Sequence, residues 1–132
     1  MAKLEKLCAR GVFDPPGYSQ IIKVTGAQSL LFLAGQVPYS AGGGVDHPGD
    51  FLAQARNVFG AVKAHVEAAG GTLNDVVKIV VYVTDRAHRR QAYPVIDEYF
   101  GELKPCSTGL IVSGLALPEL VVEIDAYGLI DD

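Results

Sequence analysis

The stretch Val76–Val83, VVKIVVYV, constrains this chain more than any other. It is β-branched on both faces apart from Lys78 and Tyr82, the pattern of a strand buried on two sides. Whatever sheet contains it needs cover above and below. The remaining apolar patterns show how much cover the chain supplies. Phe51, Ala55, Val58, Val62 and Val66 recur at spacings of three and four, one stripe on a long helix. Asp50 is placed to cap its start, and Gly70-Gly71 to stop it. A second, shorter helix is expected over Val95–Leu103, because Pro94 is tolerated in a first turn but breaks a helix that begins much earlier.

Strands are expected at Gln20–Val24 and Leu30–Ala34, with a turn at Thr25-Gly26-Ala27-Gln28, and a glycine-rich loop over Tyr39–Gly49. Two late strands, Thr108–Val112 and Leu120–Tyr127, flank a turn at Leu117-Pro118. The order β-β-α-β-α-β-β describes an α+β fold with one main sheet. At about 150 residues per domain, 132 residues make a single domain spanning 1–132. Two helices cover one face of the sheet and no more. The apolar second face therefore predicts a homo-oligomer.

Charge narrows the partners. Eleven Lys plus Arg against fifteen Asp plus Glu leaves −4, without the basic excess of a phosphate-tracking protein, which argues against nucleic acid. No run approaches about 18 apolar residues, so no membrane span is expected. The start Met1-Ala2-Lys3-Leu4-Glu5-Lys6 mixes charges where a secretory signal needs an apolar core. Cys8 and Cys106 form no CxxC and fit free thiols in a reducing, cytoplasmic setting. His47, His65 and His88 lack metal-ligand spacing, and His65, bordering the apolar stripe, is expected to be half-packed. HExxH, P-loop, GxSxG and GxGxxG motifs are all missing, so neither metal nor cofactor is implied.

Some residues can still carry chemistry. In Leu120–Tyr127, Val122, Ile124 and Ala126 alternate with Glu123 and Asp125. Carboxylates at i and i+2 of a strand point the same way and can share acid–base work, or simply form a solvated face. Tyr18, after Pro16-Gly17, is a packed edge or a ligand contact. Gly35-Gln36 is a strand terminator or a pair of N–H groups offered to an anion. Arg86, His88, Arg89 and Arg90 form the one basic cluster, which is a solvated loop and helix start or an attractor of anions.

Four stretches carry a resemblance: PGYSQIIKV from Pro16, LLFLAGQVP from Leu30, DFLAQARNVFGAVKAHVEAAGGTLNDVVKIVVYVTD from Asp50, and LPELVVEIDAYG from Leu117. Together they resemble the RidA/YjgF family, also called L-PSP proteins, over nearly the whole chain. The resemblance implies a chorismate-mutase-like α+β fold with a mixed sheet and two helices on one face. It also implies a homotrimer with clefts between subunits. The best-known branch hydrolyses reactive enamines and imines, such as 2-aminoacrylate, to 2-oxo acids and ammonia. There an Arg grips the substrate carboxylate, a Glu moves a proton or water, and a Tyr and a backbone glycine frame the cleft.

Matched by position, the Glu is Glu123, the Tyr is Tyr18 and the glycine is Gly35. The Arg does not carry over, because the family's Pro-Ala-Arg reads Pro105-Cys106-Ser107. The Cys often found two residues later is Gly109, and an Asn of the second helix is Tyr93. Losing one member of a buried charged pair costs about 2–5 kcal/mol, which weighs against efficient turnover of 2-imino acids. Three expectations follow. Another cation reaches in, from Lys104, Arg89 or Arg90; the substrate is a neutral or larger enamine; or the cleft binds a metabolite without catalysing. Ser107 and Thr108 would offer hydroxyls to a less anionic ligand. The leading expectation is a divergent enamine or imine hydrolase (deaminase), with Glu123 and Tyr18 at the chemistry and Gly35, Ser107, Thr108 and Tyr93 holding the substrate. A non-catalytic metabolite-binding or regulatory trimer is the alternative, and a ribonuclease the third.

Overall fold

The computed structural model of the chain describes residues 2–26 and 29–131. Strands β1 (Lys3–Leu7), β2 (Ile21–Thr25) and β3 (Ser29–Phe32) precede helix α1 (Phe51–Ala68). Strand β4 (Val76–Val83), helix α2 (Arg86–Phe100), and strands β5 (Cys106–Ile111) and β6 (Val122–Ile130) follow. β1 and β2 form an antiparallel pair, and the main sheet runs β3-β6-β4-β5. β5 is parallel to β4, whereas β6 is antiparallel to both its neighbours, so the sheet is mixed. Parallel neighbours need a crossover, and α2 is that crossover. The expected α+β fold is present, with an additional strand, β1, at its start. Of the expected turn at 25–28, Ala27 and Gln28 lie outside the described residues.

The apolar stripe of α1 is buried as its period requires: Ala55, Val58, Val62 and Val66 are sealed against the sheet. Asp50 caps the helix, its carboxylate accepting from the Ala53 N–H at 3.2 Å. His65, expected to be half-packed beside that stripe, is exposed. α2 begins nine residues before the expected Val95. Asp85 caps it by accepting from the Ala87 N–H at 2.8 Å, and Pro94 lies within it. A proline removes the bond to the carbonyl four residues earlier, here Arg90. The helix continues because Ala92 and Val95 are buried against the core on either side of the exposed Pro94.

Alternation divides the sheet. Ile79, Val81 and Val83 of β4, with Val122, Ile124 and Ala126 of β6, meet the helices in one core. Val80 and Tyr82, with Glu123, Asp125 and Tyr127, leave on the other side. There the cover stops: Phe32 is 75% exposed and Leu30 61%, with Leu110 and Tyr127 also open. The sheet does leave exposed apolar side chains on this face, but β3, β5 and β6 supply them; β4 itself presents Lys78, Val80 and Tyr82 there.

A buried amide holds the route into β6. Gln54 of α1 is fully buried. Its Nε2 donates to the carbonyls of His47 (3.0 Å) and Glu119 (2.8 Å), and its Oε1 accepts from the Val121 N–H (2.9 Å). No apolar pattern announced it. Stranding buried backbone groups costs about 1–3 kcal/mol each. Gln54→Leu is therefore expected to lower the unfolding free energy by at least about 2 kcal/mol in urea denaturation. A change under about 0.5 kcal/mol would show that these bonds do not hold the loops.

Candidate active site

The residues singled out from the sequence fall into two groups, on opposite sides of the main sheet. On the helix side, β5 turns Ser107 and Gly109 inward, opposite Ile79 and Val81 of β4. Tyr18 arrives from the loop before β2. Ser19 pins that loop, its N–H donating to the Pro105 carbonyl at 3.5 Å and its hydroxyl to the Lys104 carbonyl at 2.6 Å. α2 contributes Arg89 and Tyr93, one turn apart. Tyr18, Arg89, Tyr93, Ser107 and Gly109 line a cavity of about 60 Å³. A second cavity of about 240 Å³ shares Tyr18, Tyr93 and Ser107 and reaches Asp97.

On the open side, Glu123 lies over Gly35. A Cβ added to Gly35 would sit 2.0 Å from Glu123 Oε2 and 3.1 Å from Asp125 Oδ1, so any larger residue there would push the Glu123 carboxylate aside. The strand register explains the approach. Between the Phe32–Tyr127 pairing and the Gln36–Ile124 bridge, Ala34 and Gly35 both stand opposite Asp125. Burial pushes the Glu123 carboxyl above its usual range, and the neighbouring Asp125 charge adds to this. Asp125 itself accepts from the Tyr82 hydroxyl at 2.7 Å. That bond, together with burial, holds the Tyr82 phenol up at about 12, so it stays a donor. Of the two carboxylates paired in the sequence, Asp125 is tied to Tyr82 within the fold, whereas Glu123 lies over Gly35.

Ser107 and Thr108 do not work as a pair. Successive strand residues face opposite sides, and Thr108 turns to the open face, where its hydroxyl accepts from Lys78 Nζ at 2.6 Å. Among the three candidate cations, Arg90 is exposed and Lys104 lines a different groove, beside Cys8 and Gln20. Arg89 alone joins Ser107 in the helix-side cavity. Its placement was hidden in the sequence because the helix was expected only from Val95, with Arg86, His88, Arg89 and Arg90 read as a solvated loop and helix start. Tyr82 was read only as a strand residue. Its hydroxyl could have been suspected from its place in an otherwise apolar run.

The family model described as Endoribonuclease L-PSP matches residues 14–130. The chain belongs to the RidA/YjgF family. A RutC family protein of Pyrococcus horikoshii is 42% identical to this Rid-family chain over 109 residues, covering 83% of each. A Rid-family protein of Yersinia pestis, of unknown function, matches in structure with a TM-score of 0.83 at 28% identity, covering 96% of this chain and 98% of its own. RidA of an Antarctic Psychrobacter species matches with a TM-score of 0.71 at 32% identity, covering 95% and 94%. The Rid fold thus accounts for both helices and the mixed sheet described above.

The raised Glu123 value fixes the sign of a pH effect. The folded chain holds this proton more tightly than the unfolded chain. Stability therefore falls as pH rises from the usual carboxylate value through the higher native one. Glu123→Gln removes this term. At fixed protein concentration it is expected to gain stability over wild type at pH 7 but not at pH 4, in guanidinium denaturation. Equal differences at both values would show that Glu123 titrates normally.

Proposed function

We propose that this Rid-family protein is a homotrimer that hydrolyses a small enamine or imine in clefts between copies. The observation that carries the reading is the division of the site. A half-buried carboxyl with a raised proton affinity lies on the uncovered face, while the cavity with Tyr18 and Ser107 opens on the other. One copy cannot bring them together across its own sheet. A second copy, burying Leu30, Phe32 and Leu110, can carry its Glu123 to the first copy's cavity.

The chemistry asks little more. An enamine tautomerises to an imine, whose protonated carbon is already electrophilic. Glu123 takes a proton from water as the oxygen attacks that carbon, giving a carbinolamine. The same group then returns the proton to nitrogen. The C–N bond breaks and ammonia leaves as the C=O bond forms, and the hydroxyl proton passes to Glu123, replacing the one consumed when the imine was protonated, so imine plus water gives carbonyl compound plus ammonia. A carboxyl whose proton affinity is raised by burial suits both halves of this shuttle. Tyr18 and Tyr93 bound the cleft, Gly35 leaves room for the carboxyl, and Ser107 orients the substrate through its hydroxyl. Thr108, on the open face, acts only from the side of the copy that brings Glu123.

The test is release of ammonia and carbonyl product from enamine generated in situ, with sedimentation of the same samples. Wild type is expected to sediment at three times the chain mass and to turn over. Glu123→Gln should keep that mass and lose about 100-fold or more in rate. Unchanged turnover in Glu123→Gln would remove Glu123 from the chemistry. Ligand binding without product would favour the binding-module reading. RNA cleavage co-purifying with the trimer would favour the activity for which the matching family model is named, against a net charge of −4.

A further inference from the structure

The open face holds an arrangement that the proposed hydrolysis leaves unused. Tyr82 stands directly opposite Glu123 in the β4–β6 register, and Asp125 is opposite Val80. The Tyr82 hydroxyl nevertheless passes over its direct partner and donates diagonally to Asp125 Oδ2 at 2.7 Å. The other oxygen, Oδ1, is left toward Gly35, where Glu123 Oε2 also lies. The point that a Gly35 Cβ would occupy is 2.0 Å from Oε2 and 3.1 Å from Oδ1, so the two oxygens are at most about 5 Å apart. Among the described residues no hydrogen-bond donor reaches the Glu123 side chain. One member of this close pair has a donor, and the other has none.

We propose that Tyr82 is a positioning residue for the reaction: by occupying Asp125, it keeps the exchangeable proton of this carboxyl pair on Glu123 alone. The inference rests on the proposal that Glu123 carries the proton during hydrolysis, and it says why that proton does not stray. Two carboxyls this close do not ionise independently, and they compete for one proton. A hydrogen bond to a charged carboxylate favours the charged form, so the member with the donor yields the proton to the member without one. The Tyr82 phenol, held up at about 12, remains a donor wherever carboxyls titrate. Burial and the Asp125 charge both raise the proton affinity of Glu123, which is the member that takes the proton. Without the phenol, the proton taken from water has a second acceptor in Asp125. Each excursion there is lost to the step that returns it to nitrogen.

The rest of the face leaves this pair to itself. From β6 the remaining titratable group is Tyr127, and from β4 it is Lys78, in the Tyr127 row and two rows from Glu123. The Lys78 amine donates to the Thr108 hydroxyl of β5 at 2.6 Å, and β5 otherwise brings Cys106, in the Lys78 row, and Leu110. β3 brings Leu30 and Phe32, and the segment after it brings Gln36, whose side chain donates to the Ala34 carbonyl at 2.9 Å. Among the described residues no cation forms an ion pair with Glu123 or Asp125, and the phenol alone distinguishes the two carboxyls.

The experiment is a pH titration of the full chain by carbon NMR, with the Asp and Glu side-chain carboxyls labelled, and it needs no turnover. Wild type, Tyr82→Phe and Asp125→Asn are compared. In wild type the Glu123 carboxyl is expected to titrate in one step above the usual carboxylate range, with Asp125 taking no share of that step. A step shared by both carboxyls in wild type would overturn the assignment without any variant. Asp125→Asn should lower the Glu123 proton affinity by about fourfold or more, the effect of removing a unit charge about 5 Å away even at the dielectric of water. Tyr82→Phe should act the other way, raising the Glu123 midpoint and drawing Asp125 into the same step. A bond that merely holds the strands would cost stability and leave the Glu123 curve in place. An unchanged Glu123 curve in Tyr82→Phe, or shifts of one sign in both variants, would equally overturn the assignment. In turnover, Tyr82→Phe is expected to lose about tenfold in kcat at unchanged KM, because proton transfer and not binding is disturbed. Opposite shifts in a protein without hydrolase activity would support the hold of Tyr82 on the proton while refuting the hydrolase reading, so the two fail separately.

Discussion

Side chains leave β6 alternately on two sides, and the rest of the structure follows from that alternation. Val122, Ile124 and Ala126 fill the core beneath α1 and α2, while Glu123, Asp125 and Tyr127 are carried to the other face by the same backbone. Shifting the register by one residue would bury two carboxylates under the helices and expose the core. The chemistry is therefore locked to the packing. Gln54 serves the same end from α1, because its bonds to Glu119 and Val121 set where β6 begins.

The elements legible in the sequence are those whose patterns match their burial. α1 shows a helical stripe and has one buried side, and β4 shows an apolar run and stands between two strands with helices above. β1 escaped notice because Lys3–Leu7 pairs only with β2 and stays largely exposed, so burial imposed no alternation on it. The start of α2 was misplaced for a different reason. Pro94 is a strong local signal, but Asp85 capping and the burial of Ala92 and Val95 outweigh the lost bond.

The site was legible by residue type and not by arrangement. The matching stretches single out Glu123, Gly35 and Tyr18, and the departure at 105–107 singles out Ser107, but nothing in a string of letters says which side of a sheet each one faces. Ser107 and Thr108, neighbours in sequence, are separated by the sheet itself. Arg89 was readable only as part of a charged run. It becomes a cavity residue once Gly109 is known to lie opposite it with no side chain in the way.

The division of the site also has an electrostatic purpose. A guanidinium and a carboxylate on one face of one copy would pair with each other, and each would lose the free valence a ligand needs. Here the sheet stands between Arg89 and Glu123. The carboxyl keeps its proton affinity raised by burial and by Asp125, and the guanidinium keeps donors unspent. On the proposed assembly, copies meeting across the uncovered face would bring the two within reach of one ligand. The carboxyl would then be buried further, and desolvation would push its proton affinity in the direction it already leans. Assembly would thus complete the cleft and tune its acid–base group in one step.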